Sequence, residues 1–133
     1  MFVVRTNLRP GRIHGIGVFA EKPIKKGQLV WKFDTRLDLR IPVAELPFLP
    51  ADAQEHIRIR ACAEMVTGQR VMTLCGDNSQ YVNHSSHPNL LDSEDGLQKL
   101  AAWDIAAGGE RTCNYYKSDL ADHEKLGSYP VEV

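Results

Sequence analysis

A single, mostly β domain with one inserted helix is the fold class this chain predicts, and three observations carry it. Short runs of β-branched and aromatic residues alternate with Pro and Gly punctuation through the first part of the chain. One central stretch has a helical period. The pattern A-x-x-x-I-x-x-G occurs at Ala20 to Gly27 and again at Ala101 to Gly108, one copy in each half. Each copy suits a strand, a tucked isoleucine and a glycine-assisted turn, so the two together suggest paired β-arches rather than a parallel α/β sheet. A length of 133 residues suits one core, and residues 1–133 read as one domain with 117–133 as a C-terminal tail.

In chain order, strands are expected at Phe2 to Arg5, Gly17 to Ala20 and Leu29 to Phe33, separated by Pro10-Gly11, Pro23 and Lys26-Gly27. Asp52 is placed to cap a helix running from about Ala53 to Met65, with Ala53, Ile57, Ala61 and Met65 on one stripe. Strands return at Arg70 to Leu74 and Leu97 to Trp103, each followed by polar turn material. From Lys117 onward the chain is mostly charged, as expected of a tail that orders on docking.

The balance of charge excludes two classes of partner. A net charge of −1 and a pI near 6.5 leave no basic footprint for nucleic acid and no polybasic membrane anchor. No apolar run approaches the roughly 18 residues of a membrane span, and Met1 to Arg5 lacks the features of a secretory signal. The expectation is a soluble intracellular protein, cytoplasmic or, in a eukaryote, nuclear. Cys62, Cys75 and Cys113 form no C-x-x-C pair, which fits free thiols in a reducing compartment and no bound metal.

The most informative run is Tyr81-Val82-Asn83-His84-Ser85-Ser86-His87-Pro88-Asn89, which sets amide, imidazole and hydroxyl groups between two apolar runs. A polar segment that becomes buried must find partners for those groups, and a bound polar ligand is one. Gly15-Ile16-Gly17-Val18-Phe19-Ala20 formally satisfies the dinucleotide pattern G-x-G-x-x-G/A, but Arg9 to His14 is a poor buried strand and Pro23 leaves no room for the following helix. Those glycines are expected to bring backbone close to a ligand outside any Rossmann fold.

Gly15-Ile16-Gly17, Asn83-His84-Ser85 with Pro88-Asn89, and Asn114-Tyr115-Tyr116 together resemble the SET-domain protein lysine methyltransferases, in order and spacing, over roughly residues 3–116. The central run is close to that family's N-H-S-C-x-P-N, and the chain looks like a small stand-alone member without the cysteine-rich post-SET segment. The resemblance implies a β-clip fold of small curved sheets in which the Asn-His-Ser and tyrosine segments cross like a knot. It implies S-adenosylmethionine as methyl donor, held by backbone of Gly15, Ile16 and Gly17, by Asn83 and His84, and walled by Tyr81. Tyr115 takes the catalytic position, and Cys113 and Tyr116 line the substrate channel. The implied partner is a lysine-containing protein, with histone and histone-like proteins among the possibilities, and a homodimer is a secondary expectation.

This chain departs from the family's E-E-L-T-x-D-Y, which stands here as Gly109-Glu110-Arg111-Thr112-Cys113-Asn114-Tyr115. An acid is replaced at 109 and 114, and a core leucine becomes Arg111. The alternative is therefore a non-catalytic SET-like protein-binding module. Each motif also has an ordinary reading: Asn83 and Pro88-Asn89 as turn residues, His84 and His87 as loop histidines, Tyr115 and Tyr116 as core aromatics on opposite faces of a strand. Cys113 with His84 would resemble a thiol hydrolase pair, but no orienting acid or oxyanion element accompanies it.

Overall fold

The computed structural model describes residues 1–13 and 15–113. Its strands are β1 (Thr6–Pro10), β2 (Ile16–Ala20), β3 (Leu29–Lys32), β4 (Leu39–Pro42), β5 (Cys62–Val66), β6 (Gln69–Leu74), β7 (Asn83–His84), β8 (Leu90–Asp92), β9 (Gln98–Ala101) and β10 (Thr112–Cys113), with α1 (Ala51–Arg60) between β4 and β5. They form four small sheets: the hairpin β1-β2, the antiparallel sheets β3-β9-β8 and β4-β6-β5, and the parallel pair β10-β7. The predicted class, mostly β with one inserted helix, is the class observed.

The two copies of the repeated pattern face one another. Ile24 and Ile105 exchange both backbone hydrogen bonds, at 2.8 and 2.7 Å. Gly27 donates to the Ala101 carbonyl at 2.8 Å and Gly108 to the Ala20 carbonyl at 2.7 Å, so the glycine of each copy meets the alanine of the other. Both glycines sit at positive φ, 80° and 82°, where a side chain would be strained. Ala20, Ile24, Val30, Leu90, Ala101 and Ile105 form one buried cluster, with Phe2 and Val4 packed on it. A second cluster of Ile57, Ala61, Ala63 and Met72 lies under α1 and the β4-β6-β5 sheet.

Two elements differ from expectation. The helix ends at Arg60 rather than Met65, and it starts at Ala51 with Pro50 in the cap position, leaving Asp52 in the first turn without a side-chain cap bond. Of the expected stripe, Ile57 and Ala61 are buried, whereas Met65 is exposed on β5. The cause is the next hairpin: Val66 pairs with Gln69, and Thr67-Gly68, at φ 48° and 78°, make the left-handed two-residue turn that suits the twist of paired strands. Five residues of ladder to β6 thus capture the segment that the 3.6 period assigned to the helix. At the N-terminus, the strand expected at Phe2 to Arg5 is a single bridge from Phe2 to Trp31, and the hairpin strand is Thr6–Pro10. Pairing of Thr6 with Ala20 sets that boundary.

Candidate functional site

Segments far apart in sequence meet where β2 begins. Gly15 has φ +50°, a conformation that favours glycine, and a Cβ built on it would meet nothing within 4 Å, so this backbone is open. At Gly17 the space is taken: a Cβ would lie 2.5 Å from Glu110 Oε2 and 3.1 Å from Gly11 Cα. Glu110 accepts hydrogen bonds from the Arg12 backbone N–H at 2.9 Å and from Asn83 Nδ2 at 2.9 Å. Asn83 Nδ2 also lies 3.3 Å from the Ile16 carbonyl oxygen, as a donor. Carboxylate, carbonyl and amide groups therefore converge beside the open backbone at Gly15, with the Asn83 amide directed at Glu110 and Ile16, and acceptor oxygens gathered in this way suit the ammonium end of an amino-acid ligand.

Asn83 and His84 are held by the parallel pairing of β7 with β10, which sets Asn83 opposite Thr112 and His84 opposite Cys113. The Ser85 N–H extends the ladder to the Cys113 carbonyl at 3.0 Å. Asn89 fastens the same junction: its side chain donates to the Glu110 carbonyl at 2.7 Å and accepts from the Thr112 N–H at 2.8 Å. Asn89 thus acts as a clamp at this junction. His84 is buried and His87 exposed, although both belong to one motif.

A cavity of about 680 Å³ opens beside this junction, with Tyr81, Asn83 and Cys113 in its wall. Two three-stranded sheets each contribute a cross-strand row to it. Trp31, Lys99 and Asp92 are register partners across β3-β9-β8, and Arg40, Thr73 and Cys62 across β4-β6-β5. Lys99 pairs with Asp92 and lies 5.8 Å from the Trp31 ring centre. Burial would lower the Lys99 pKa, but Cys113 and Asp92 outweigh it and hold the group above the ordinary lysine value. Arg60 stacks on Tyr81 at 4.5 Å, and burial pushes the Cys75 thiol up to about 12, so Cys75 is a poor nucleophile.

Among the sequence-predicted site residues, Gly15, Ile16, Gly17 and Asn83 come together, His84 is tied to Cys113 through the strand pair, and Tyr81 and Cys113 share the cavity wall with Asn83. Tyr115 and Tyr116 lie outside the described residues. The sequence reading missed Glu110, which it noted only as an acid inside an altered segment, and the cavity residues Trp31, Arg40 and Lys99. The Arg12–Glu110 bond spans 98 residues, and no local spacing announces such a partner.

A family model described as SET domain matches residues 15–116. No curated protein sequence matches the chain. Among solved structures, the chain is similar to a humanized mutant of the Chaetomium thermophilum Polycomb Repressive Complex 2 bound to the inhibitor GSK126, with a TM-score of 0.64 and 20% identity over 88% of this chain. It is also similar to the Neurospora SET domain protein DIM-5, a histone lysine methyltransferase, with a TM-score of 0.58 and 21% identity over 86% of this chain. The chain spans 15% of the first of those chains and 53% of the second.

Proposed function

Because the chain belongs to the SET-domain family, we propose that it is a protein lysine methyltransferase that uses S-adenosylmethionine. The observation that carries this reading is the convergence of the glycine backbone, Asn83 and Glu110 at one side of the β7-β10 pair, with a cavity walled by Asn83 and Cys113 beside it. When bound, the cofactor supplies a sulfonium methyl group for in-line displacement by a neutral lysine amine. Asn83 and the Ile16 carbonyl would hold its amino-acid part, with His84 and the Gly15 to Gly17 backbone beside them and Tyr81 as a wall.

The protein's own contribution is alignment and desolvation. Lysine is charged in water at neutral pH, and removal of its side chain from water favours the neutral amine. The Tyr115 hydroxyl is assigned to orient the reacting centre through weak contacts, where misplacement by an ångström costs about a hundredfold in rate. No side chain becomes a covalent nucleophile. The substrate class is a lysine-containing protein, and the similarity to DIM-5, a histone lysine methyltransferase, puts histone-like proteins on the panel to be tested.

The test is transfer of label from S-adenosylmethionine to a panel of lysine-rich proteins. Tyr115→Phe is expected to lower transfer at least about a hundredfold while calorimetry shows cofactor affinity unchanged. Transfer that survives this substitution removes the role of Tyr115. The second reading, a non-catalytic binding module, is favoured by the charged Arg111 in a core position. It requires that no panel member accept a methyl group.

A further inference from the structure

Glu110 divides its two carboxylate oxygens between two segments. Oε1 accepts from the Arg12 backbone N–H and Oε2 from Asn83 Nδ2, so one half-buried side chain ties the loop before the glycine pair to the start of β7. That loop closes on itself where the Gly11 N–H meets the Gly15 carbonyl at 2.6 Å. None of the ion pairs among the described residues uses Glu110. The other neighbour of the Asn83 NH2 group, the Ile16 carbonyl oxygen, is an acceptor only, as the carboxylate is. An amide has a donor end and an acceptor end, and two acceptor-only neighbours admit only the NH2 end. Oδ1 of Asn83 is thereby directed away from Glu110 and Ile16, on a side chain that borders the cavity.

We propose that Glu110 is a positioning residue for the methyl donor: by holding the Asn83 NH2 group, it presents the Asn83 carbonyl oxygen to the α-ammonium of the donor's amino-acid part. This rests on the methyltransferase reading for the identity of the ligand. A reversed amide would set N–H groups against the ammonium and an oxygen against two oxygens, so the orientation of one amide decides whether this end of the site accepts a cation. A carboxylate is suited to fixing that orientation, because both of its oxygens accept and both of its partners here donate. Glutamine has the same shape and a single acceptor oxygen, so it cannot serve the Arg12 N–H and the Asn83 NH2 group together.

The probes are S-adenosylhomocysteine and its deaminated analogue, which keeps the adenosine, thioether and carboxylate and lacks the α-amino group. Each is titrated calorimetrically into the full chain. The wild type is expected to bind the amino-bearing ligand at least about tenfold more tightly, and equal affinities overturn the inference. In Glu110→Gln the affinity for S-adenosylhomocysteine should fall about tenfold while that for the deaminated analogue stays at its wild-type value. A merely structural clamp would lower both affinities together, down to a chain that does not fold; that result, or no change in either, overturns the inference. Asn83→Ala removes the amide and leaves the Arg12 bond to Glu110 in place, so it tests the same link without disturbing the carboxylate. It should abolish the preference for the amino-bearing ligand, and Glu110→Gln should then add no further loss. A preference that survives Asn83→Ala overturns the inference. Methyl transfer with an unaltered preference in Glu110→Gln sinks this inference alone, and a lost preference in a chain that transfers no methyl group sinks the enzyme reading alone.

Discussion

Arg111 shows how one residue can oppose its own fold. It is fully buried, none of its three guanidinium nitrogens has a hydrogen-bond acceptor among the described residues, and its charge faces the Phe2 ring at 5.5 Å. Burial pushes its pKa down to about 10, below the ordinary arginine value, which means that the charged form is held at a cost. Between those two values the unfolded chain binds more protons than the native one, so stability rises with pH across that window. Below it the penalty is constant and fully present. Arg111→Leu is therefore expected to raise stability at neutral pH by about 1–4 kcal/mol, read from the urea midpoint. The gap between variant and wild type should narrow as pH rises past about 10. A midpoint that falls would mean that the guanidinium has a partner. The sequence marked this position as an apolar one filled by a cation. Its depth and its lack of acceptors depend on neighbours brought in by packing.

The β1-β2 hairpin joins sequence-readable and unreadable chemistry. Its glycine pair is visible in the chain, but the reason for the second glycine is Glu110, whose carboxylate occupies the place of a Cβ at Gly17 while bonding Arg12 and Asn83. Gly17→Ala should displace that carboxylate and cost about 1–3 kcal/mol, measured by thermal unfolding, together with weaker S-adenosylmethionine binding. The same substitution in a Glu110→Ala background should cost less, because the closer of the two clashes is gone and only the approach to Gly11 remains. Additive losses would show that Glu110 is not what Gly17 accommodates. At α1 the sequence located the element and its buried Ile57 correctly and misjudged the end. The Thr67-Gly68 turn opens a ladder to the adjacent strand β6, and that pairing overrides the helical period.

Across the whole molecule, the two repeated arches form a single unit through Ile24 and Ile105, both buried in the cluster that also contains Val30 and Leu90. Ile24→Ala and Ile105→Ala should each cost about 2–5 kcal/mol, seen as a lower denaturant midpoint. Because the two residues share backbone bonds and a cluster, the double variant should depart from additivity by about 0.5–3 kcal/mol; strict additivity would mean that the arches are stabilised separately. The sequence by itself determined the β-rich class, the existence of two matching arches, the glycine loop, the Asn83-His84 pair and the family. These follow from near neighbours: glycine's freedom in φ, alternation along a strand, and a dense polar run. Tertiary structure alone decided that Glu110 joins the glycine loop to Asn83, that Asn89 acts as a clamp, and that Trp31 and Arg40 from different sheets line one cavity. Those relations arise from strand register and sheet packing, where the free energy is shared between residues tens of positions apart and no local pattern records the pairing.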